Sequence, residues 1–350
     1  MRTVQGTLAK FSATISPQLF APVYSGTGVG SRLGLAVESM SRHMTDEGWQ
    51  LFQGLEEAGY QLRGDGLPVS TTDVTKILDE GDAAVIVIQD KREWEGLTAD
   101  RSRDPSMRFT NVQALRERPD IFKVTVLKDA QHNPEYHREA AKEIGCHAWI
   151  IYYHPLIVSA LAPYVRPEHL VRTYHSVDAK LIPPFHVNGR LSQALVSGAL
   201  SGAYPLRSSI CKACLAGRMD HVFYLKHPGY HRQGSATPEY LKTLSQYKVA
   251  ICTSSRYGYA LRKIIEATAA GCIVVTDLPE DEILPEIENN LFRIPSDSSP
   301  EFVDTLARGL CDKYTPALQE VFANRAKTYY DYRYLGKKLA DDIETLRRNY

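Results

Sequence analysis

Two doubly wound α/β domains are what this sequence predicts, and three observations carry the prediction. First, apolar β-branched runs recur along the chain without polar alternation, as strands buried on both faces of a parallel sheet do. Second, capped amphipathic helical segments separate them, so strand and helix alternate. Third, the chain has 350 residues, too many for one ordinary core and comfortable for two.

The strand candidates are 83–90 (AAVIVIQD), 123–129, 148–155 and 170–176, then 194–199, 221–228, 248–255 and 272–277 (CIVVTD). Among the helices, 45–59 opens at Thr45 and closes at Gly59; 133–145 has Asn133, then Pro134 at the first helical position, and ends at Gly145. The segments 204–217 and 237–247 follow the same grammar. The stretch DAKLIPPFHVNGR (178–190), with two prolines, Gly and Asn, reads as the linker. It divides an N-terminal domain, 1–178, from a C-terminal domain, 190–330, and a charged helix over 331–350 is expected to pack back on the first domain. The charged stretch 91–111 reads as a long functional or mobile loop. The glycines of YSGTGVGSRLG (24–34) fall short of a full dinucleotide fingerprint and read as a loop.

Lys plus Arg and Asp plus Glu number 41 each, which gives no general basic field for nucleic acid. There is no apolar run long enough for a membrane span, and the N-terminus lacks a signal-peptide core. The six cysteines lie scattered, mostly in apolar runs, as reduced buried thiols of a cytoplasmic protein would. Cys211 and Cys214 form a lone C-x-x-C, which without a second pair argues against zinc.

In open parallel sheets ligands bind beyond the carboxyl ends of the strands. Those ends here carry Asp90, Asp129, His154, His175, His227 and His231. Asp90, Asp129 and His154 are the candidates for a general base, with helix capping or core packing as the plainer role of each. In RYGYALRKIIEATAAGCIVVTD (256–277), Leu261, Ile264, Ile265, Thr268 and Ala269 form one buried helical face. Tyr259, Arg262 and Glu266 form a second stripe. A helix starting at Gly258 would offer backbone N–H groups to an anion, Arg262 a fork for phosphate, and Glu266 a carboxylate for two hydroxyls. A nucleoside diphosphate fits that spacing, whereas a surface ion pair would contribute only about 0.2–0.5 kcal/mol.

At this point the residues resemble a family. The stretch 245–294, about fifty residues, is similar to the donor-binding region of GT-B glycosyltransferases of the group-1 type found in spore-maturation-like enzymes. The matching positions are Ser254, then Arg262, Glu266, Ala267, Ala269 and Gly271, then Thr276 and Asp277. The resemblance implies two Rossmann-like domains facing each other across a cleft, and a hexosyltransferase-type enzyme. It implies a nucleotide-sugar donor with Glu266 on the ribose, Gly258 and Tyr259 toward the diphosphate, and Arg207 as the basic residue after the domain's first strand. Ser254, Thr276 and His227 complete the expected donor side. Many retaining members carry a second Glu eight residues before the first; Gly258 stands there, so the stereochemistry stays open. No D-x-D triplet occurs, so transfer is expected to need neither metal nor other cofactor. A nucleotide-sugar 2-epimerase and a non-catalytic nucleotide- or sugar-binding module are the alternatives. The acceptor (a glycan, a small molecule, a protein or a modified nucleic-acid base) and the oligomeric state are not distinguished.

Overall fold

The computed structural model describes residues 2–8, 22–37, 46–95, 108–131, 134–226 and 233–350. The chain divides into two compact units: residues 11–174 with 332–350, and residues 1–10 with 175–331. A first domain over 1–178 therefore changes at both ends, since residues 175–178 and the chain's start belong to the second unit. Residues 2–8 pack with the second unit, because helix α1 (Val4–Leu8) buries Val4 and Thr7 there and the Val4 N–H donates to Asp281. The chain enters and leaves that unit side by side, where Val177 pairs with Asp331. The expected linker begins with a 3-10 turn, Ala179–Leu181, and lies within the second unit.

The first unit holds a six-stranded parallel sheet. Its strands are β1 (Ser31–Leu35), β2 (Gln61–Arg63), β3 (Ala83–Ile88), β4 (Phe122–Val126), β5 (Ala148–Ile151) and β6 (Leu170–Arg172). They run in the order β2-β1-β3-β4-β5-β6. Every residue of β3, β4 and β5 is buried, as runs without alternation require. Helices α2 (Asp46–Glu57), α3 (Val74–Asp79), α5 (Pro134–Ile144) and α6 (Pro155–Leu161) connect them. The stretch 24–34 is not all loop. Its last four residues lie in β1, and Gly34 is there because a Cβ would stand 2.6 Å from Leu62 Cδ2 of the neighbouring strand. The long loop 91–111 opens with a helical turn, α4 (Lys91–Trp94), capped by Asp90; residues 96–107 lie outside the described residues.

His147 shows how this unit is tied together. Its Nδ1 accepts the Lys123 N–H at 3.0 Å, and Nε2 lies 3.2 Å from the Val23 carbonyl, a pair of contacts that suits the neutral ring. Burial, with help from nearby Lys123, lowers its pKa to about 4. A folded pKa below the unfolded one means the unfolded chain binds the extra proton. Stability is present near neutrality and is lost as pH falls from about 6.5 to about 4, by about 3 kcal/mol. Urea titrations across that window are expected to show this slope, and His147→Asn is expected to flatten it.

The second unit holds a five-stranded parallel sheet in the order β11-β10-β9-β7-β8. Its strands are β7 (Leu191–Ser197), β8 (Val222–Leu225), β9 (Tyr247–Ile251), β10 (Ile273–Thr276) and β11 (Leu291–Arg293). Helix α7 (Pro205–Leu215) follows β7, α8 (Gln233–Leu244) precedes β9, and α9 (Arg262–Ala269) joins β9 to β10. Helices α10 (Pro300–Asp312) and α11 (Pro316–Tyr329) complete the unit, each with proline at its first turn. Ala194, Val196, Val249, Ile251, Ile273 and Val275 point to the face shared with α7 and α10. Alternate strand residues point the other way, and α8, α9 and α11 pack together. The strand order reverses between β7 and β9, so both crossovers leave that point and open a crevice at the strand ends.

In the first unit α12 (Tyr332–Asn349) lies on α2, the two crossing at Gly54 and Gly336. Among the described residues no helix is long and apolar enough to cross a membrane.

Candidate active site

The crevice between the ends of β7 and β9 is basic, and its charges come from both faces of the sheet. Gly198 ends β7 with φ +126°, and any Cβ there would lie 2.6 Å from Arg207 Nη1. Arg207, on α7, is 3 % exposed. Its Nε donates to Thr253 Oγ1 at 3.2 Å and its Nη2 to the Thr253 carbonyl at 3.3 Å, both just past β9. The Tyr204 ring lies 4.0 Å beneath the guanidinium. From α9, the Lys263 ammonium donates to Ser197 Oγ at 3.2 Å, at the last residue of β7. It sits 4.0 Å from the Tyr240 ring, and Ser197 donates in turn to the Tyr240 hydroxyl at 3.0 Å. Burial holds the Lys263 pKa below its ordinary value; Glu266 opposes that shift and Arg207 adds to it. Arg262 Nε lies 3.1 Å from Glu266 Oε1, with both side chains largely buried. Arg262 and Lys263 share the Glu266 carboxylate, and Arg207 adds a third positive charge near Lys263, an arrangement suited to an anion with more than one charge.

The β9–α9 loop corrects one expectation. The helix does not start at Gly258; its first residue is Arg262, and Leu261 is the cap. Gly258 turns left-handed at φ +78°, and its N–H donates back to the Ser255 carbonyl at 2.9 Å. A right-handed helix cannot include that residue, and its N–H is not open to an anion. The helix start therefore lies nearer Glu266, about 7.5 Å along the axis from the cap instead of about 12 Å from Gly258. Tyr259 is 2 % exposed and stacks on Tyr257 with centroids 5.6 Å apart. The Ser254 N–H donates to Asp277 Oδ1 at 2.6 Å, and Thr276 Oγ1 accepts from the Leu278 N–H at 3.2 Å. These buried groups shape the loop. His227 lies outside the described residues.

Lys263, Ser197, Tyr240 and Thr253 belong to the crevice although the sequence reading passed over them. The only local signal was the spacing of Lys263 and Glu266, three apart and hence neighbours on a helix.

The first unit gathers its own polar cluster at the ends of β3, β4 and β5. Asp90 is fully buried and caps α4, accepting from Arg92 N at 3.0 Å, Arg92 Nε at 2.9 Å and Lys128 N at 3.1 Å. Burial pushes its pKa up, but Arg92, His137 and these N–H donors outweigh it and hold the carboxyl below its usual value. Asp129 stands at φ +49°, uncommon for a residue with a side chain. Its carboxylate is 36 % exposed and touches Arg92 at 3.4 Å and the Tyr153 hydroxyl at 3.4 Å. Arg92 thus links Asp90 to Asp129. His154 caps α6, its Nδ1 accepting the Leu156 N–H at 3.3 Å.

No family model and no curated protein matches the chain in sequence. Solved structures match it in fold. A glycosyltransferase from Rickettsia africae ESF-5 superposes with a TM-score of 0.54 at 9 % identity, over 91 % of this chain and 99 % of that one. A sucrose-phosphate synthase from Thermosynechococcus elongatus gives 0.56 at 10 % identity, over 91 % and 100 %. Anabaena HepE, solved with UDP-glucose, gives 0.54 at 11 % identity over the same shares. The fold is that of the GT-B glycosyltransferases, with two parallel-sheet α/β units of six and five strands.

Proposed function

We propose that this chain is a glycosyltransferase, moving a sugar from a nucleotide-sugar to an acceptor hydroxyl without a metal ion. The observation that carries the reading is the pair of cations, buried Arg207 and partly buried Lys263, brought from opposite faces of the sheet to its switch point. In this reading the diphosphate lies against both, with Arg262 and the first N–H groups of α9 beside it. The ribose hydroxyls bond to Glu266. Ser254, Gly258, Tyr259 and Thr276 hold the loop that carries these groups. As the bond between sugar and diphosphate breaks, negative charge grows on the leaving phosphate oxygen. A guanidinium and an ammonium already fixed in a dry crevice stabilise that charge without rearranging.

The acceptor hydroxyl loses a proton as the new bond forms. Of the three candidates in the first unit, Asp129 suits that role best, since its carboxylate is partly open while Asp90 is sealed within its cap. His154 serves α6 as a cap. HepE was solved with UDP-glucose, so a uridine nucleotide is the first donor class to try. Six free thiols are in keeping with a cytoplasmic setting.

The test is thermal unfolding with UDP, GDP, ADP, TDP and CMP, on the wild type and on Lys263→Met, which keeps the chain length and removes the charge. At 100 times its dissociation constant a ligand adds about 2.7 kcal/mol, a rise of several degrees in midpoint. One nucleotide is expected to shift the wild type and to lose its effect in the variant. No shift with any of the five would overturn the reading.

A further inference from the structure

The geometry points to Arg2 as a positioning residue for the β9–α9 loop: an arginine from the chain's start fixes the loop that, on the reading above, carries the donor. The two are 252 residues apart. The Arg2 Nη2 donates to Ser254 Oγ and to the Ser255 carbonyl, each at 3.3 Å. Nη1 lies 3.6 Å from Asp277 Oδ2, and Nε donates to Thr7 Oγ1 at 3.1 Å. The segment is itself held by its backbone. Glu280 N–H donates to the Arg2 carbonyl at 3.0 Å, and Val4 N–H to Asp281 Oδ1 at 2.7 Å.

Each bond falls where the loop is under demand. The Ser255 carbonyl accepts the Gly258 N–H at 2.9 Å and the Ser254 hydroxyl at 3.0 Å; Arg2 adds a charge-assisted donor to that oxygen and polarises the Ser254 hydroxyl that bonds to it. Asp277 is 3 % exposed and holds the Ser254 N–H. Burial raises its pKa, and both the Ser254 N–H and Arg2 oppose that rise. Without Arg2 the buried carboxylate loses its counter-charge and is driven toward protonation, which weakens its grip on Ser254. Gly258 makes the arrangement possible. A Cβ at that position would lie 2.9 Å from Arg2 Nη2 and 3.0 Å from Pro279 Cγ. The glycine that breaks the two-glutamate spacing is thus the residue that leaves room for the arginine.

Three chains decide it: wild type, Arg2→Ala and Arg2→Lys. Backbone hydrogen exchange over residues 252–261 reads the loop without any nucleotide. Exchange at 254–258 is expected to rise at least tenfold in Arg2→Ala and to recover in part in Arg2→Lys, with the remaining sheet amides unchanged. UDP affinity is expected to fall about tenfold in Arg2→Ala, with a change in melting temperature too small to account for it. Unchanged exchange in Arg2→Ala would overturn the inference, as would faster exchange with UDP affinity intact. If another of the five nucleotides shifts the wild type, the affinity arm uses that one; a wild type that binds none of the five strikes the glycosyltransferase reading instead, and the exchange result still decides what Arg2 does for the loop.

Discussion

Arg207→Ala is expected to lower nucleotide affinity about 100-fold, or about 2.8 kcal/mol at 1.4 kcal/mol per decade. The variant loses a charge-assisted fork in a crevice that water screens poorly. It also leaves the Thr253 carbonyl and hydroxyl without their donor, at a cost of about 1–3 kcal/mol in stability. The two effects separate if calorimetric affinity is measured well below the variant's own melting point. Arg207→Lys is the discriminating companion. It restores the charge but neither the planar fork nor the stacking on Tyr204, so affinity should return only in part. A nucleotide that binds Arg207→Ala as tightly as the wild type would reduce Arg207 to a buttress for Thr253.

Gly336→Ala is expected to loosen α12 from α2 and to lower the melting temperature by roughly 5–10 °C. A Cβ at 336 would lie 2.1 Å from the Gly54 carbonyl carbon and 2.3 Å from its Cα. Those are backbone atoms with no rotamer to change, so the helices must move apart. Helix propensity favours alanine by about 1 kcal/mol, while overpacking against backbone costs about 3 kcal/mol or more, so the clash wins. Gly309, in α10, is the control. Nothing lies within 4 Å of a Cβ there, and Gly309→Ala is expected to stabilise by roughly 0.5–1 kcal/mol. Equal behaviour of the two variants in a thermal melt would show that the crossing tolerates separation.

The sequence by itself determined the parts whose cause is local. Strands such as AAVIVI and KVAI are apolar on every residue or nearly so, and only a sheet covered on both faces accepts that. The helices announced themselves through prolines and glycines at their ends, and the period of α9 placed Arg262 and Glu266 on one stripe. Strands β1, β2 and β11 were not legible, because SRLGL, QLR and LFR carry too few apolar residues to stand out. Nor was the start of α9: Gly258 and the Ser255 carbonyl close a turn that apolar spacing does not report. Tertiary structure decided how the candidate site is assembled. Strand order is a choice among pairings that all bury the same residues, and it is the order β9-β7-β8 that opens the crevice. Lys263 gains its place from Ser197, 66 residues earlier, and Arg2 from Ser254, 252 residues later. Contacts of that range arise when the sheet assembles, so no window of sequence contains both partners.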